Sequence, residues 1–114
     1  MKRNIISAII PIVLILTFSL TFAMSHNAAE RGKALFENPD FAGGKKACSS
    51  CHPKGDGLST AGTNSEFSIM GKKQKSIEEA INFCIVNANR GKAIAVDSKE
   101  MQDIVSYIKS LEPK

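Results

Sequence analysis

Residues 48–52 read Cys-Ser-Ser-Cys-His, two thiols three positions apart with an imidazole directly after the second. Three chemistries use such a set: dithiol–disulfide exchange, structural zinc, and covalent haem attachment. A redox dithiol opens a helix after a strand in a βαβ setting, and no strand pattern precedes Cys48. A structural zinc site wants four ligands, often from two paired clusters. Cys48, Cys51 and His52 give three at unsuitably close spacing, and neither Cys84 nor His26 has a partner. Haem attachment asks only for what is present. The two thiols add to the two vinyl groups at one porphyrin edge, and the following histidine lies beneath the iron as its proximal ligand. The motif therefore reads as a site for one covalent haem c, with Cys48 and Cys51 as thioether carriers and His52 as the proximal iron ligand.

Few elements are available to position this site. Asn27 and Glu30 have the spacing of a capping box, and Ala28, Ala29, Gly32, Leu35 and Phe36 follow at helical intervals. Pro39 disfavours helix just before it, so the pattern predicts a first helix over 28–37. Ser76 and Glu79 form a second box ahead of Ile77, Ala80, Ile81, Cys84 and Ala88, which predicts a helix over 77–89 with Gly91 as its stop. Asp97 and Glu100 precede the stripe Met101, Ile104, Val105, Ile108 and Leu111, which predicts a helix over 98–111. The intervening 38–75 is rich in Gly, Lys, Ser and Asn, shows no periodic apolar pattern, and in so small a domain needs something to pack against. A covalently held cofactor supplies it. No strand pattern competes, so the expected class is all-α.

Ahead of these elements, Lys2 and Arg3 precede a nearly unbroken apolar run from Ile5 to Ala23, and Thr21 and Ala23 are small residues at the positions a signal peptidase reads. Residues 1–23 read as a signal peptide and 24–114 as the domain. The competing reading is an uncleaved anchor over 5–23, since the run is about as long as a spanning helix of roughly 20 residues. Either places the domain outside the cytoplasm, in the periplasm or otherwise exported. Lys2 and Arg3 belong to that segment, which leaves 13 Lys and Arg against 11 Asp and Glu, a charge of about +2. So mild an excess, with no nucleic-acid-binding motif beside it, does not suggest nucleic acid binding.

The order of these features resembles class I c-type cytochromes over nearly all of 24–114. In that family an N-terminal helix with a Gly-x-x-x-aromatic pair, here Gly32 and Phe36, crosses a C-terminal helix with an aromatic near its end, here Tyr107 in MQDIVSYIKSL. The resemblance implies a small cytochrome c fold, three main helices wrapped around one covalently bound haem, in electron transport. The family's usual distal methionine comes from the loop before the last helix. That loop, NRGKAIAVDS, contains neither Met nor His.

Cys84 and Met70 are the candidate distal ligands, with Cys84 preferred. Cys84 is the leftover cysteine, on the apolar face of the second helix; a buried structural thiol competes closely with ligation, and an intermolecular disulfide is the lesser alternative. The segment from Ile81 to Ile108 resembles the haem domain of the A subunit of Sox thiosulfate-oxidising complexes and of related thiosulfate dehydrogenases. In those, the resemblance implies, a cysteine sulfur ligates haem iron and takes part in sulfur chemistry; Arg90 and Lys92 are nearby basic residues. Met70 precedes the second helix in EFSIMGKK. Met101 reads as core packing and His26 as a solvated residue near the N-terminus. The expectation is an exported monohaem one-electron carrier. The alternatives are a haem subunit of a thiosulfate-oxidising enzyme acting through Cys84, or a gas-binding haem sensor. Lys45, Lys46, Lys54, Lys72, Lys73 and Lys75 read first as a solubilising surface and second as a docking ring for redox partner proteins around the haem edge.

Overall fold

A computed structural model describes residues 26–113. The segment read as a signal or anchor lies outside the described residues. Within them the chain forms three α-helices, α1 (26–36), α2 (Ile77–Asn87) and α3 (Lys99–Ser110), and one hairpin of two strands, β1 (Phe67–Ile69) and β2 (Lys72–Gln74). The rest is turns, among them single 3-10 turns at Phe41–Gly43, Cys48–Ser50 and Pro53–Gly55.

The crossing of α1 and α3 follows from one missing side chain. A Cβ at Gly32 would lie 2.5 Å from the carbonyl carbon of Asp103 and 2.9 Å from Tyr107 Cβ, so only glycine lets the two backbones meet. One turn on, Phe36 and Tyr107 make an edge-to-face contact, centroids 5.1 Å apart. Arg31 donates two 2.8 Å hydrogen bonds to the Asp103 carboxylate, and Lys99 Nζ donates to the same group at 2.9 Å. The Asp103 side chain is only 7% exposed. The Arg31 guanidinium, and behind it Lys99, hold its carboxyl below the usual carboxylate range against the opposing effect of burial. Phe36, Ile85, Met101 and Ile104 are the most deeply buried side chains, and Met101 is pure core, as its place in the stripe suggested.

Several boundaries differ from expectation. Helix α1 already includes His26 and Asn27, so the Asn27 box is not used; Glu30 instead meets His26 Nδ1 at 3.4 Å. In α2 half of the box forms: Ser76 Oγ accepts from Glu79 N, whereas the Glu79 carboxylate accepts from Lys75 N at 2.8 Å, one residue before the cap. The helix ends at Asn87, and the left-handed residue beyond it is Arg90 (φ 59) rather than Gly91. Gly91 has a different task, because a Cβ there would meet the Ala42 carbonyl oxygen at 2.9 Å. Helix α3 is capped by Ser98, whose Oγ accepts from Met101 N at 3.2 Å, one residue later than the Asp97 pairing expected.

The hairpin was not expected. Its strands pair antiparallel as Phe67–Gln74, Ser68–Lys73 and Ile69–Lys72, around a two-residue loop of Met70 and Gly71. Both loop residues have positive φ (52 and 75), the signature of a type I′ turn. The three-helix arrangement stands, with this small sheet laid against α2.

Candidate haem site

The Cys-x-x-Cys-His segment is shaped by its own backbone. Cys51 N and His52 N both donate to the Cys48 carbonyl, at 3.2 and 3.0 Å, closing the chain into a tight turn. Pro53 then starts a second turn, in which Gly55 N donates to the His52 carbonyl at 2.9 Å. Gly55 is left-handed (φ 79), and an added Cβ would strike the Leu111 side chain, so the end of α3 holds this turn in place. The His52 ring is fixed by a 2.9 Å contact between Nδ1 and the Asp56 carbonyl. A carbonyl can only accept, so Nδ1 carries the proton and Nε2 keeps a free lone pair, the state a metal-ligating imidazole requires.

Beside this turn lies a cleft of about 400 Å³, within the range of cofactor sites. Phe36, Ile104 and Ile108 form one part of its wall, Ile77, Ala80 and Ile81 of α2 another, and Leu58 and Ala61 a third. The hairpin contributes Phe67, Ser68, Ile69 and Met70. Among the described residues, no Lys, Arg, Asp or Glu lines it.

Cys48, His52, Cys84 and Met70 all line this one cleft, although they come from three separate parts of the chain. Cys51 is exposed and does not line it. All three cysteines are free thiols. Burial pushes the Cys48 thiol up, against the opposing hydrogen bond donated by Asn89 Nδ2 to Cys48 Sγ at 3.5 Å. Burial likewise pushes the Cys84 thiol up, with a smaller contribution from the neighbouring Cys48 and Cys51 thiols. Met70 stands at the hairpin tip, 77% exposed. His26 is exposed on α1 and outside the cleft.

The loop before α3 is tied to α2 by Asn82. Its side-chain amide accepts from Ile94 N at 2.9 Å and donates to Ile94 O at 2.8 Å, a two-bond clamp between α2 and the loop. Asn82 escaped the sequence reading because a lone asparagine on a helix gives no sign of a partner twelve residues away. Asn89, buried against Cys48, escaped it for the same reason.

These residues fit a covalently held porphyrin: an apolar charge-free cleft, a thiol and a tautomer-fixed imidazole on one wall, and a second sulfur on α2. The family described as SoxA/TsdA, cytochrome c domain, matches residues 31–112. No curated protein and no solved structure matches the chain. Three helices around an apolar cleft beside Cys-x-x-Cys-His, together with that match, place the chain in the SoxA/TsdA cytochrome c domain family, whose members carry covalently bound haem c in electron transport.

Proposed function

We propose that this protein is an exported monohaem cytochrome that passes single electrons, with Cys48 and Cys51 as thioether carriers, His52 as proximal ligand and Cys84 as distal ligand. The observation that carries this reading is the convergence of Cys48, His52 and Cys84 on one charge-free cleft. Bound there, a haem supplies a one-electron couple. The Asp56 carbonyl keeps the proton on His52 Nδ1 and so leaves Nε2 free to bind iron. Phe36, Ile81, Ile104 and Ile108 exclude water, which limits the reorganisation that accompanies a change of charge. Cys84 is favoured over Met70 because it is part-buried in the α2 wall, whereas Met70 is at an exposed tip. Ligation of iron by the Cys84 sulfur as thiolate would stabilise the ferric state and lower the potential. Residues 1–23 support export, and recovery of the haem protein from the cytoplasm alone would count against it.

Sulfur-compound chemistry at Cys84 is the second reading, favoured by the access of Cys84 to the cleft. Against it, a thiosulfate dianion entering the cleft meets no lining cation, and an unpaired buried charge is costly. A gas-binding sensor is the third, and it requires five-coordinate, high-spin iron at rest. Absorption and paramagnetic resonance spectra of the protein from a host that matures c-type haem separate these readings. The proposal expects low-spin iron in the parent and a changed spectrum with a raised potential in Cys84→Ser, while Met70→Ala keeps the parent spectrum. An unchanged Cys84→Ser spectrum refutes distal ligation by Cys84.

A further inference from the structure

Asn89 lies between the two sulfurs of the cleft and is only 6% exposed. Its backbone N–H donates to the Cys84 carbonyl at 3.0 Å, and its own carbonyl accepts from Lys45 N at 2.7 Å. The residue therefore joins the end of α2 to the chain that leads into the attachment motif. Gly44 permits the approach, since a Cβ there would lie 3.2 Å from the Asn89 carbonyl oxygen. With the backbone held on both sides, the side chain adds one contact: Nδ2 donates to Cys48 Sγ at 3.5 Å. An amide taken out of water is costly unless its hydrogen-bonding groups find partners, and sulfur is a weak acceptor. Packing alone would be served as well by an apolar side chain of the same shape.

Cys48 gives that contact a use. Its carbonyl is fixed by Cys51 N and His52 N, so rotation about χ1 is the main freedom left to its sulfur. A donor fixed on α2 selects among the three staggered positions, and the one selected has Cys48 lining the cleft. Cys51 is exposed, lies outside the cleft lining, and has no such donor at its sulfur among the described residues. We propose that Asn89 is a positioning residue for haem attachment, holding Cys48 Sγ toward the cleft so that its thioether forms there, while Cys51 is left to adjust. In that reaction the S–H bond breaks and adds across a vinyl double bond, sulfur to one carbon and hydrogen to the other, with no oxidant or reductant consumed. The inference rests on the reading of Cys48 as a thioether carrier.

The test counts thioether bonds residue by residue. Haem-loaded protein from a host that matures c-type haem is denatured under reducing conditions, alkylated with iodoacetamide and mapped by peptide mass, with Cys84 as the internal standard of one free thiol per chain. Asn89→Leu keeps the side-chain shape and removes the donor, and Asn89→Ala serves if leucine prevents folding. Either is expected to raise the alkylated fraction of Cys48 about fivefold over the parent, the population factor of one neutral hydrogen bond, with Cys51 unchanged. Asn82→Ala is the control, because it breaks a similar amide clamp on the loop before α3. It is expected to lower Tm yet change Cys48 alkylation by less than about twofold. Cys48 as protected in both Asn89 variants as in the parent, Cys51 freed to the same extent as Cys48, or equal release by Asn82→Ala overturns the positioning role. Full alkylation of Cys48 in the haem-loaded parent would instead overturn Cys48 as a carrier.

Discussion

Gly32→Ala tests whether the cleft is built on the crossing of α1 and α3. The new Cβ would start 2.5 Å from the Asp103 carbonyl carbon, against about 3.4 Å for ordinary contact, so the helices must part by about 0.9 Å or more. The obstructing atoms are backbone and cannot rotate aside. Parting by that amount takes the 2.8 Å Arg31–Asp103 hydrogen bonds beyond bonding range and opens the Phe36–Tyr107 contact. Overpacking against backbone costs about 3 kcal/mol and the lost aromatic contact about 1, while alanine's better helix propensity returns about 1. The net is about 3 kcal/mol, which for a domain of this size lowers Tm by about 12–24 °C. Because Phe36, Ile104 and Ile108 line the cleft, the Soret band is expected to shift as well. The assay is thermal unfolding of haem-loaded protein followed by far-UV circular dichroism and Soret absorbance. Gly43→Ala is the comparison: its Cβ meets nothing within 4 Å, so only the strain of φ +70 remains, about 1 kcal/mol. A Gly32→Ala protein within about 0.5 kcal/mol of the parent refutes the close-crossing argument.

Two further substitutions probe the frame around the site. Ser98→Ala removes the α3 cap and is expected to cost about 1 kcal/mol in denaturant unfolding, whereas Asp97→Ala costs little; the reverse order would return the cap to Asp97. Asp103 is held below its ordinary value of 3.8, so it binds a proton more readily when unfolded. Its stabilising contribution is complete above that value and is lost as pH falls through the lower folded value. Asp103→Asn is therefore expected to be less stable at neutral pH and to flatten the stability profile below about pH 4. A profile parallel to the parent's in that range contradicts the ion-pair assignment.

Much of the frame was legible in the chain because local rules and packing agree there. Ser76 and Glu79 cap α2 as their spacing requires, and the Met101 stripe marks the buried face of α3. The α3 start slipped by one residue because Asp97 and Ser98 are adjacent and both suit a cap. The hairpin was hidden by its brevity: three-residue strands are too short to show alternation, and Met70 occupies a turn position that composition assigns to Asn or Gly. Arg90 hides the end of α2 in the same way, taking the left-handed conformation beside a glycine that is there for its size. Of the site, the attachment motif announces itself. That Cys84 shares a cleft with His52 depends on how α2 lies over the turn, which no local pattern encodes.

The packing of α3 against the rest of the chain also ties the attachment site to contacts distant in sequence. Arg31 and Asp103 are 72 positions apart, and the turn that carries His52 is braced by Leu111. A chain growing from its N-terminus thus holds the attachment motif well before it can hold the helix that completes the motif's surroundings. Such distant contacts carry a large closure entropy and slow the search for the native state. The surroundings of the attachment motif are thus complete only when the C-terminal helix is in place, so loss of α3 would leave the His52 turn without its Leu111 brace.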